Sequence, residues 1–257
     1  MANKPLILIS NDDGITAPGI RVLVEEMKKL GEVIVVAPNS PQSGMGHAIT
    51  IGETLRLVKS NIFEGVPAYE CSGTPADCIK LAKHHILNDR NPDLVVSGVN
   101  HGSNTSVSVL YSGTMSAAIE AAIEGLPAIG FSLCDYSHEA SFEHVRKYIY
   151  RIAEYVLKNG LEEGVALNVN FPPEKKESIK GLRISRQAIA KWKEAFDERV
   201  DPQGQTYFWL TGRFINNDLS EETDEWAIAN NYVSVVPCHY DLTAYKSVDN
   251  LKIKLKI

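Results

Sequence analysis

The sequence lacks long apolar runs and an excess of basic residues, and each absence excludes a class of protein. No apolar run approaches the roughly 18 residues that cross a membrane, and no charged-then-apolar leader opens the chain. The net charge is −6, from 26 Lys and Arg against 32 Asp and Glu, which argues against a broad surface for nucleic acid. We therefore expect a cytoplasmic protein that binds neither a membrane nor a nucleic-acid polymer.

Cysteine is also scarce. The four cysteines are widely spaced, with neither a CxxC pair nor the Cys/His spacing of a zinc site: Cys71, Cys78, Cys134 and Cys238. Such cysteines are typical of buried free thiols in a reducing compartment. The chain also contains no internal repeat, low-complexity segment or flexible linker.

The first half of the chain alternates short β-branched runs with helical patterns, which is typical of βαβ units and a mainly parallel sheet. Strands are predicted at Leu6–Ser10 and at residues 32–37, 93–97, 127–132 and 167–170. Thr16 is predicted to cap the first helix, with Pro18 in its first turn. Residues 49–51 and 55–58 are predicted to pair as a hairpin.

Beyond about residue 185 the alternation weakens, and aromatic and charged segments follow. Trp192 and Trp209 lie in this part, and we expect them to pack against protein rather than stack on bases. The sequence thus divides into an α/β core that would carry the catalytic site, residues 1–185, and a carboxy-terminal extension, residues 186–257. Packing of this extension on a partner subunit and packing on the edge of the core are both open at this point.

The first predicted strand ends on two adjacent carboxylates, Asp12 and Asp13. Like charges this close raise each other's pKa and repel unless a cation lies between them. Ligands bind at the carboxyl ends of parallel strands, so the position suits both a metal and chemistry. Ser43 and Asn100, in two other loops, can add neutral oxygen ligands. The set suits Mg²⁺, Mn²⁺ or Ca²⁺ rather than a thiolate zinc site.

A second group of polar residues is predicted to bind phosphate. Ser112, Gly113 and Thr114 open the strongest predicted helix, and together they offer backbone N–H groups, a positive dipole end and two hydroxyls. Asn104 would add a neutral donor to the phosphoryl oxygens. A metal beside such a cradle predicts hydrolysis of a phosphate ester, with Asp12 or Asp13 as a possible general base.

Simpler interpretations compete with these assignments. An Asn-Asp-Asp-Gly sequence after a strand can be an ordinary turn, and Ser112 or Thr114 can be only a helix cap. His47 and His101 could contact phosphate, although a hydrogen-bonded loop histidine is the commoner case. The metal interpretation is favoured because several independent loops are predicted to meet at one edge of the sheet.

Three other classes of protein share part of this pattern. A receiver-type signalling domain needs a phosphoacceptor Asp at a strand end, where this chain has Gly98-Val99-Asn100. A zinc amide hydrolase of the sugar-deacetylase type has a histidine just before its acidic pair, where this chain has Ser10-Asn11. A non-catalytic nucleotide-binding module stays open, and release of phosphate would distinguish it from an enzyme.

A series of motifs, in order along the chain, resembles the SurE family of stationary-phase survival proteins. The motifs are Asn11-Asp12-Asp13-Gly14, Ala37-Pro38, Gln42-Ser43-Gly44 with Gly46-His47, Gly73-Thr74-Pro75-Ala76-Asp77-Cys78, Ser97-Gly98-Val99-Asn100 with Gly102 and Asn104, and Tyr111-Ser112-Gly113-Thr114 with Ala117-Ala118. The match continues more loosely through residues 168–170, 186–187, 232–234 and 241–243. Nearly the whole chain is covered.

The resemblance implies a three-layer α/β/α, Rossmann-like fold and a metal-dependent 5′-nucleotidase, a phosphoric monoester hydrolase with some activity on 3′-monophosphates and short polyphosphate. It implies Asp12, Asp13, Ser43 and Asn100 as ligands of Mg²⁺ or Mn²⁺. Asn104, Ser112, Gly113 and Thr114 would bind the phosphate of a nucleoside monophosphate. The resemblance also implies a homodimer or homotetramer with an exchanged carboxy-terminal segment, while the preferred base stays open.

Overall fold

A wide central sheet organises the protein. The structure, a computed structural model, describes residues 4–88, 90–137 and 139–256. Within these ranges the strands are β1 (Leu6–Ser10), β2 (Glu32–Pro38), β3 (Leu57–Ser60), β4 (Ala68–Cys71), β5 (Leu94–His101), β6 (Ala128–Leu133), β7 (Val165–Phe171), β8 (Leu182–Ile184), β9 (Ala190–Val200), β10 (Thr206–Asn216) and β11 (Val233–His239).

Nine of these strands form one sheet in the order β3-β4-β2-β1-β5-β6-β7-β11-β8. The six from β4 to β7 run parallel, whereas β3 and β11 run antiparallel to their neighbours β4 and β7. All five residues of β1 are buried, because a central parallel strand is covered on both faces. The prediction of a mainly parallel sheet is confirmed.

Helices cover both faces of the sheet. Over the described residues they are α1 (Pro18–Met27), α2 (Pro75–Leu81), α3 (Gly113–Ile123), α4 (Arg146–Asn159), α5 (Asp224–Ala229) and α6 (Tyr245–Leu255). Residues of α1 and α4 pack into the core on one face, and residues of α2 and α3 pack into the core on the other. This arrangement confirms the three-layer α/β/α fold. No helix in the described ranges is both long and apolar enough to span a bilayer.

The helix starts agree only partly with the sequence prediction. Helix α1 has Pro18 in its first turn as predicted, but its N-cap is Ala17 and no side chain caps it, so the prediction for Thr16 is wrong. Helix α2 begins with a capping box, in which Thr74 and Asp77 exchange side-chain hydrogen bonds with each other's backbone N–H.

The predicted hairpin of residues 49–51 with 55–58 is wrong. Strand β3 pairs instead with β4, a strand that the prediction missed. Thr50 is held away from β3 by Asp77, whose Oδ1 accepts the Thr50 N–H at 3.1 Å and whose Oδ2 accepts the Thr50 hydroxyl at 2.6 Å. The backbone around Thr50 is thus anchored at the start of α2 rather than in a strand ladder.

The carboxy-terminal part combines buried and exposed elements. Strand β11 lies inside the main sheet, and its first four residues are buried. Strands β9 and β10 form a separate antiparallel hairpin, exposed along most of its length. Helix α6 contains no buried residue. Trp192 packs edge-on against Phe214 near the base of this hairpin, whereas Trp209 is largely exposed.

All four cysteines are free thiols. Cys71 and Cys78 are buried, whereas Cys134 and Cys238 are half-buried. The prediction of unpaired cysteines is thus confirmed. The prediction that they are buried is confirmed for Cys71 and Cys78 and only partly for Cys134 and Cys238.

Candidate functional site

The candidate site lies at the carboxyl edge of the two central strands. Strands β1 and β5 are direct neighbours with Ser10 opposite Ser97, so the loops after them meet. The backbone N–H of His101 donates to Asp13 Oδ2 at 3.1 Å. Asn100 uses its amide nitrogen to donate to the carbonyl of Gly102 at 2.9 Å, which leaves its Oδ1 as an acceptor.

Asp12 is buried against the start of α3. The hydroxyl of Thr114 donates a short hydrogen bond to Asp12 Oδ1. Gly113 lies so close that a Cβ added to it would be 2.6 Å from the Asp12 Cβ and 2.9 Å from Asp12 Oδ2. The first turn of α3 and the acidic pair are therefore in direct contact, and only glycine fits at position 113 without a shift.

Both carboxylates have raised pKa values. Burial raises the pKa of Asp12 most, and the neighbouring charge of Asp13 adds to it, which brings the value to about 6 in spite of the hydrogen bond from Thr114. Burial also raises the pKa of Asp13, and the hydrogen bond from the His101 backbone opposes this rise. The electrostatic cost expected from the sequence is therefore present in the folded protein.

The loop after β2 lies against both parts of the site. The backbone N–H of Gln42 donates to the carbonyl of Asp12 at 2.7 Å, and the N–H of Gly46 donates to the carbonyl of Tyr111 at 3.1 Å. Ser43 follows Gln42 directly and is exposed. This loop thus contacts Asp12 through Gln42, the residue before Ser43, and contacts Tyr111, the residue before Ser112, through Gly46.

The two hydroxyls of the predicted phosphate cradle are already engaged. Ser112 is the N-cap of α3, and its Oγ accepts the Met115 N–H at 3.0 Å, while the Thr114 hydroxyl donates to Asp12. The cap interpretation of Ser112 is therefore correct as far as its hydroxyl is concerned. The N–H groups of Thr114, Met115 and Ser116 are engaged as well, by Asp12 and Ser112. What the helix start still offers an anion is the backbone N–H of Gly113 and the helix dipole.

Asn104 is buried and held by a network of polar side chains. Its Nδ2 donates to Ser132 Oγ at 2.8 Å, and its backbone N–H donates to Asn170 Oδ1 at 2.9 Å. Asn168 donates to the Asn104 carbonyl at 2.8 Å and accepts from Asn170 at 2.8 Å. The hydrogen bonds described for Asn104 thus tie it to β6 and β7, whereas Asp12 and Asp13 lie after β1.

No role is predicted from the sequence for Ser132, Asn168 and Asn170. All three are almost fully buried, and each interrupts an otherwise apolar strand. Buried polar side chains are costly unless they are hydrogen-bonded. Polar residues inside apolar strand patterns were therefore the signal that could have revealed this network.

The two histidines considered earlier have different surroundings. His47 Nε2 lies 2.8 Å from Glu120 Oε2, and Lys80 Nζ lies 2.5 Å from Glu120 Oε1. Burial raises the pKa of Glu120, but the hydrogen bonds from His47 and Lys80 outweigh it and lower the pKa overall. His101 packs edge-on against Phe142. His47 is therefore a hydrogen-bonded loop histidine, as the simpler interpretation expects, whereas the buried Nε2 of His101 has no hydrogen-bond partner among the described residues.

The donor set fits a hard divalent cation. Two carboxylates have raised pKa values, and one of them, Asp13, contacts the backbone of His101, the residue after Asn100. Carboxylate oxygens and a neutral amide oxygen are ligands that suit Mg²⁺ and Mn²⁺. Within the described ranges no three His, Cys, Asp or Glu side chains cluster as a metal site. A cation bound here would therefore need neutral ligands besides the two aspartates.

The fold and the site together define a class of protein. It is a three-layer α/β/α protein in which an acidic pair at the end of the central strand contacts the start of a helix. Residues 7–194 match the family described as survival protein SurE. The chain belongs to the SurE family.

Individual relatives agree with this assignment over nearly their whole length. The chain is 66% identical over 249 residues to a protein named 5′-nucleotidase SurE from Cytophaga hutchinsonii, covering 97% of this chain and 96% of the relative. It is 62% identical over 250 residues to the protein of that name from Christiangramia forsetii, covering 96% of each. The crystal structure of the SurE protein from Aquifex aeolicus superposes with a TM-score of 0.83 at 40% identity, covering 97% of this chain and 99% of that one.

Proposed function

We propose that this protein is a 5′-nucleotidase, a metal-dependent phosphomonoesterase that releases phosphate from nucleoside 5′-monophosphates. The observation that carries the proposal is the contact of Asp12 with both Gly113 and Thr114. The contact supports the proposal because a cation held by Asp12 would lie close to a helix start that suits an anion. The relatives named 5′-nucleotidase SurE support the reaction.

The cation would be held by Asp12, Asp13, Ser43 and Asn100, and Mg²⁺ and Mn²⁺ are the best candidates for it. When bound, it would polarise a phosphoryl oxygen and lower the pKa of a water molecule. Asp12 and Asp13 carry the negative charge of this set, and either of them can hold a proton from the attacking water.

The phosphate would lie at the start of α3. The backbone N–H of Gly113 and the helix dipole would favour its negative charge, while Thr114 would act on the phosphate through Asp12, which accepts both its hydroxyl and its backbone N–H. Ser112 holds this turn by capping it, and Asn104 would donate to the phosphoryl oxygens. These donors are fixed before substrate binds, which favours stabilisation of charge in the transition state.

The substrate range that we propose includes 3′-monophosphates and short polyphosphate, since the proposed ligands would contact a phosphoryl group and a metal rather than a base. A panel of nucleoside 5′- and 3′-monophosphates and polyphosphate, assayed with Mg²⁺, Mn²⁺ and EDTA, tests the function. We expect phosphate release that EDTA abolishes and added metal restores. A protein that binds these nucleotides without releasing phosphate would contradict the proposal and indicate a binding module.

We also propose that the chain forms a homodimer or homotetramer through residues 186–257, with part of this extension exchanged between subunits. Leu251 and Leu255, one turn apart on α6, are 54% and 64% exposed. A cavity of about 570 Å³ lies between α3 and the end of β11, and Ile119, Ile123 and Pro237 are among its apolar lining. Exposed leucines on α6, together with an apolar groove whose lining includes Leu242 just before this helix, favour exchange between copies.

For its location we propose the cytoplasm. The four free thiols support this proposal, because cysteines in oxidising compartments are usually paired. Fractionation followed by immunoblotting would test it.

A further inference from the structure

A short segment joins the two parts of the proposed phosphate site. Residues 105–111 connect Asn104 to Ser112, and Ser106–Tyr111 form a 3-10 helix. Ser106 at its start has a φ of 53°, in the left-handed region that a non-glycine residue adopts only at a cost. Ser106 is also completely buried. The surrounding structure must therefore hold this residue in place.

Asp224, the first residue of α5, provides that hold. Its Oδ2 accepts the backbone N–H of Ser106 at 2.8 Å, and its Oδ1 accepts the N–H of Ala188 at 2.9 Å. Asp224 is only 1% exposed. The Asp224 carboxylate thus binds Ser106, which lies 118 residues earlier in the sequence, and also binds Ala188 just before β9. It links the segment of the phosphate site to the start of the carboxy-terminal part.

Further hydrogen bonds connect the same two regions. The hydroxyl of Ser106 lies 3.0 Å from the carbonyl oxygens of both Ala188 and Ala190, and its one hydrogen is shared between these two acceptors. The hydroxyl of Thr105 donates to the carboxylate of Glu225, the next residue of α5. The segment after Asn104 is therefore anchored from the carboxy-terminal part, while Asn104 itself is anchored from β6 and β7.

We propose that Asp224 is a positioning residue for the phosphate site. By fixing Ser106, it sets where Asn104 and the Ser112 cap lie relative to each other. The inference rests on the proposed function only in taking these residues as the phosphate site.

A carboxylate is required because its two oxygens accept from two different backbone donors. In an Asp224→Asn variant, one of the two positions would present an NH₂ group to a backbone N–H, and one anchor would be lost. Asparagine has nearly the same volume and shape as aspartate. This substitution therefore releases the segment with little change in packing.

The test measures binding of inorganic phosphate to the Mn²⁺-loaded protein by calorimetry, with kcat/KM for AMP beside it. For Asp224→Asn we expect both phosphate affinity and kcat/KM to fall by about tenfold, as for a small misplacement of binding groups. Mn²⁺ affinity should stay unchanged, because Asp224 contacts none of the proposed metal ligands in the described structure. A role in stability alone would not change phosphate affinity.

The matched control is Asp218→Asn. Asp218 accepts from Arg186 and from the Ile189 N–H at 3.1 Å, in the same region of the chain as Ala188. Its loss should leave phosphate affinity within about twofold of wild type, since this contact anchors only the exposed surface near β9. A fall in phosphate affinity as large as that of Asp224→Asn would overturn the inference.

A milder variant, Thr105→Val, removes the Glu225 hydrogen bond and keeps the side-chain shape, so it applies even if Asp224→Asn does not fold. We expect weaker phosphate binding in the same direction, at a Tm near wild type. Wild-type phosphate affinity in a folded Asp224→Asn, or in Thr105→Val if only that variant folds, would overturn the inference. Phosphate binding by a wild-type protein that releases none from AMP would instead count against the proposed function.

Discussion

Thr114, in the first turn of α3, donates its hydroxyl to the carboxylate of Asp12, which follows β1. This bond joins the helix start that suits phosphate to the acidic pair that suits a cation. The adjacent Gly113 leaves no room for a side chain between them. The two halves of the proposed site are therefore one packed unit, and changes in either half should affect the other.

Gly113→Ala should disrupt this unit. A Cβ at position 113 would lie 2.6 Å from the Cβ of Asp12, so either α3 or the acidic pair must move. We expect phosphate release to fall by about a hundredfold, since displacements of about 1 Å can have effects of this size. Ser116→Ala, one turn further along α3, is the control and should keep most of the activity. A Gly113→Ala enzyme with near-normal kcat/KM would contradict the proposed geometry.

Asp13→Asn should abolish turnover and leave the fold intact. Replacing one carboxylate halves the negative charge that the proposed ligand set offers a cation. A ligand that binds only the folded state stabilises it by about 2.7 kcal/mol at a hundred times its Kd. Mn²⁺ should therefore raise the Tm of the wild-type protein and not that of Asp13→Asn. Near-normal activity of Asp13→Asn, or a rise in its Tm with Mn²⁺ as large as that of the wild-type protein, would rule out the metal assignment.

The raised pKa of Asp12 predicts a pH dependence of the metal-free protein. Its folded pKa of about 6 lies above the ordinary value of 3.8, so the folded state binds the proton more tightly than the unfolded state. The Asp12 contribution to stability is then greatest in acid and is lost as pH rises through that window. At 1.36 kcal/mol per pKa unit, the loss is on the order of 3 kcal/mol.

Asp12→Asn removes this titration. Compared with metal-free wild type, the variant should gain stability as the pH is raised from about 4 to about 7. Urea unfolding in EDTA at a series of pH values measures the difference. A free-energy difference that is independent of pH would show that Asp12 titrates normally in the folded protein.

Much of the site could be predicted because its residues stand out locally. An acidic pair after an apolar strand and a Ser-Gly-Thr at a helix start both carry their chemistry in adjacent residues. The parallel order of β1 and β5 then brings the loops together. Asn100 could be predicted as part of the site for the same reason, because it lies near the carboxyl end of β5, beside the carboxyl end of β1.

What the sequence did not reveal depends on distant partners. Thr50 does not extend a strand, because Asp77 binds both its backbone and its hydroxyl. The role of Asp224 depends on a bond to Ser106, and the support of Asn104 depends on Asn168 and Asn170. No local pattern specifies which of many polar side chains will meet across the fold, so these contacts required the structure.

The lowered pKa of Glu120 gives a pH dependence of the opposite sign. Its folded pKa lies below the ordinary value of 4.5 because of His47 and Lys80. Its contribution to stability is therefore present above that value and is lost as pH falls through the folded pKa. Glu120→Gln should cost about 1–3 kcal/mol at neutral pH, as for a buried charged hydrogen bond.

The loss in Glu120→Gln should shrink in acid, and urea unfolding across pH would measure it. Glu124→Gln is the control, because Glu124 pairs with Lys83 in a more exposed position. It should cost clearly less at neutral pH. Equal costs in the two variants would show that the contact of His47 with α3 contributes little.

Helix α6 provides a test of the proposed exchange between subunits. Leu251 and Leu255 are exposed in the single chain, and burying each against a partner would contribute about 1.5–3 kcal/mol. Replacing both with Asp should therefore convert the wild-type oligomer toward monomer, as measured by light scattering after size exclusion. Lys252→Asp adds an acidic residue to the same helix without removing an apolar one, and it should keep the wild-type mass. An unchanged mass for the double variant would place the interface elsewhere, with the exposed β9–β10 hairpin as the next surface to test.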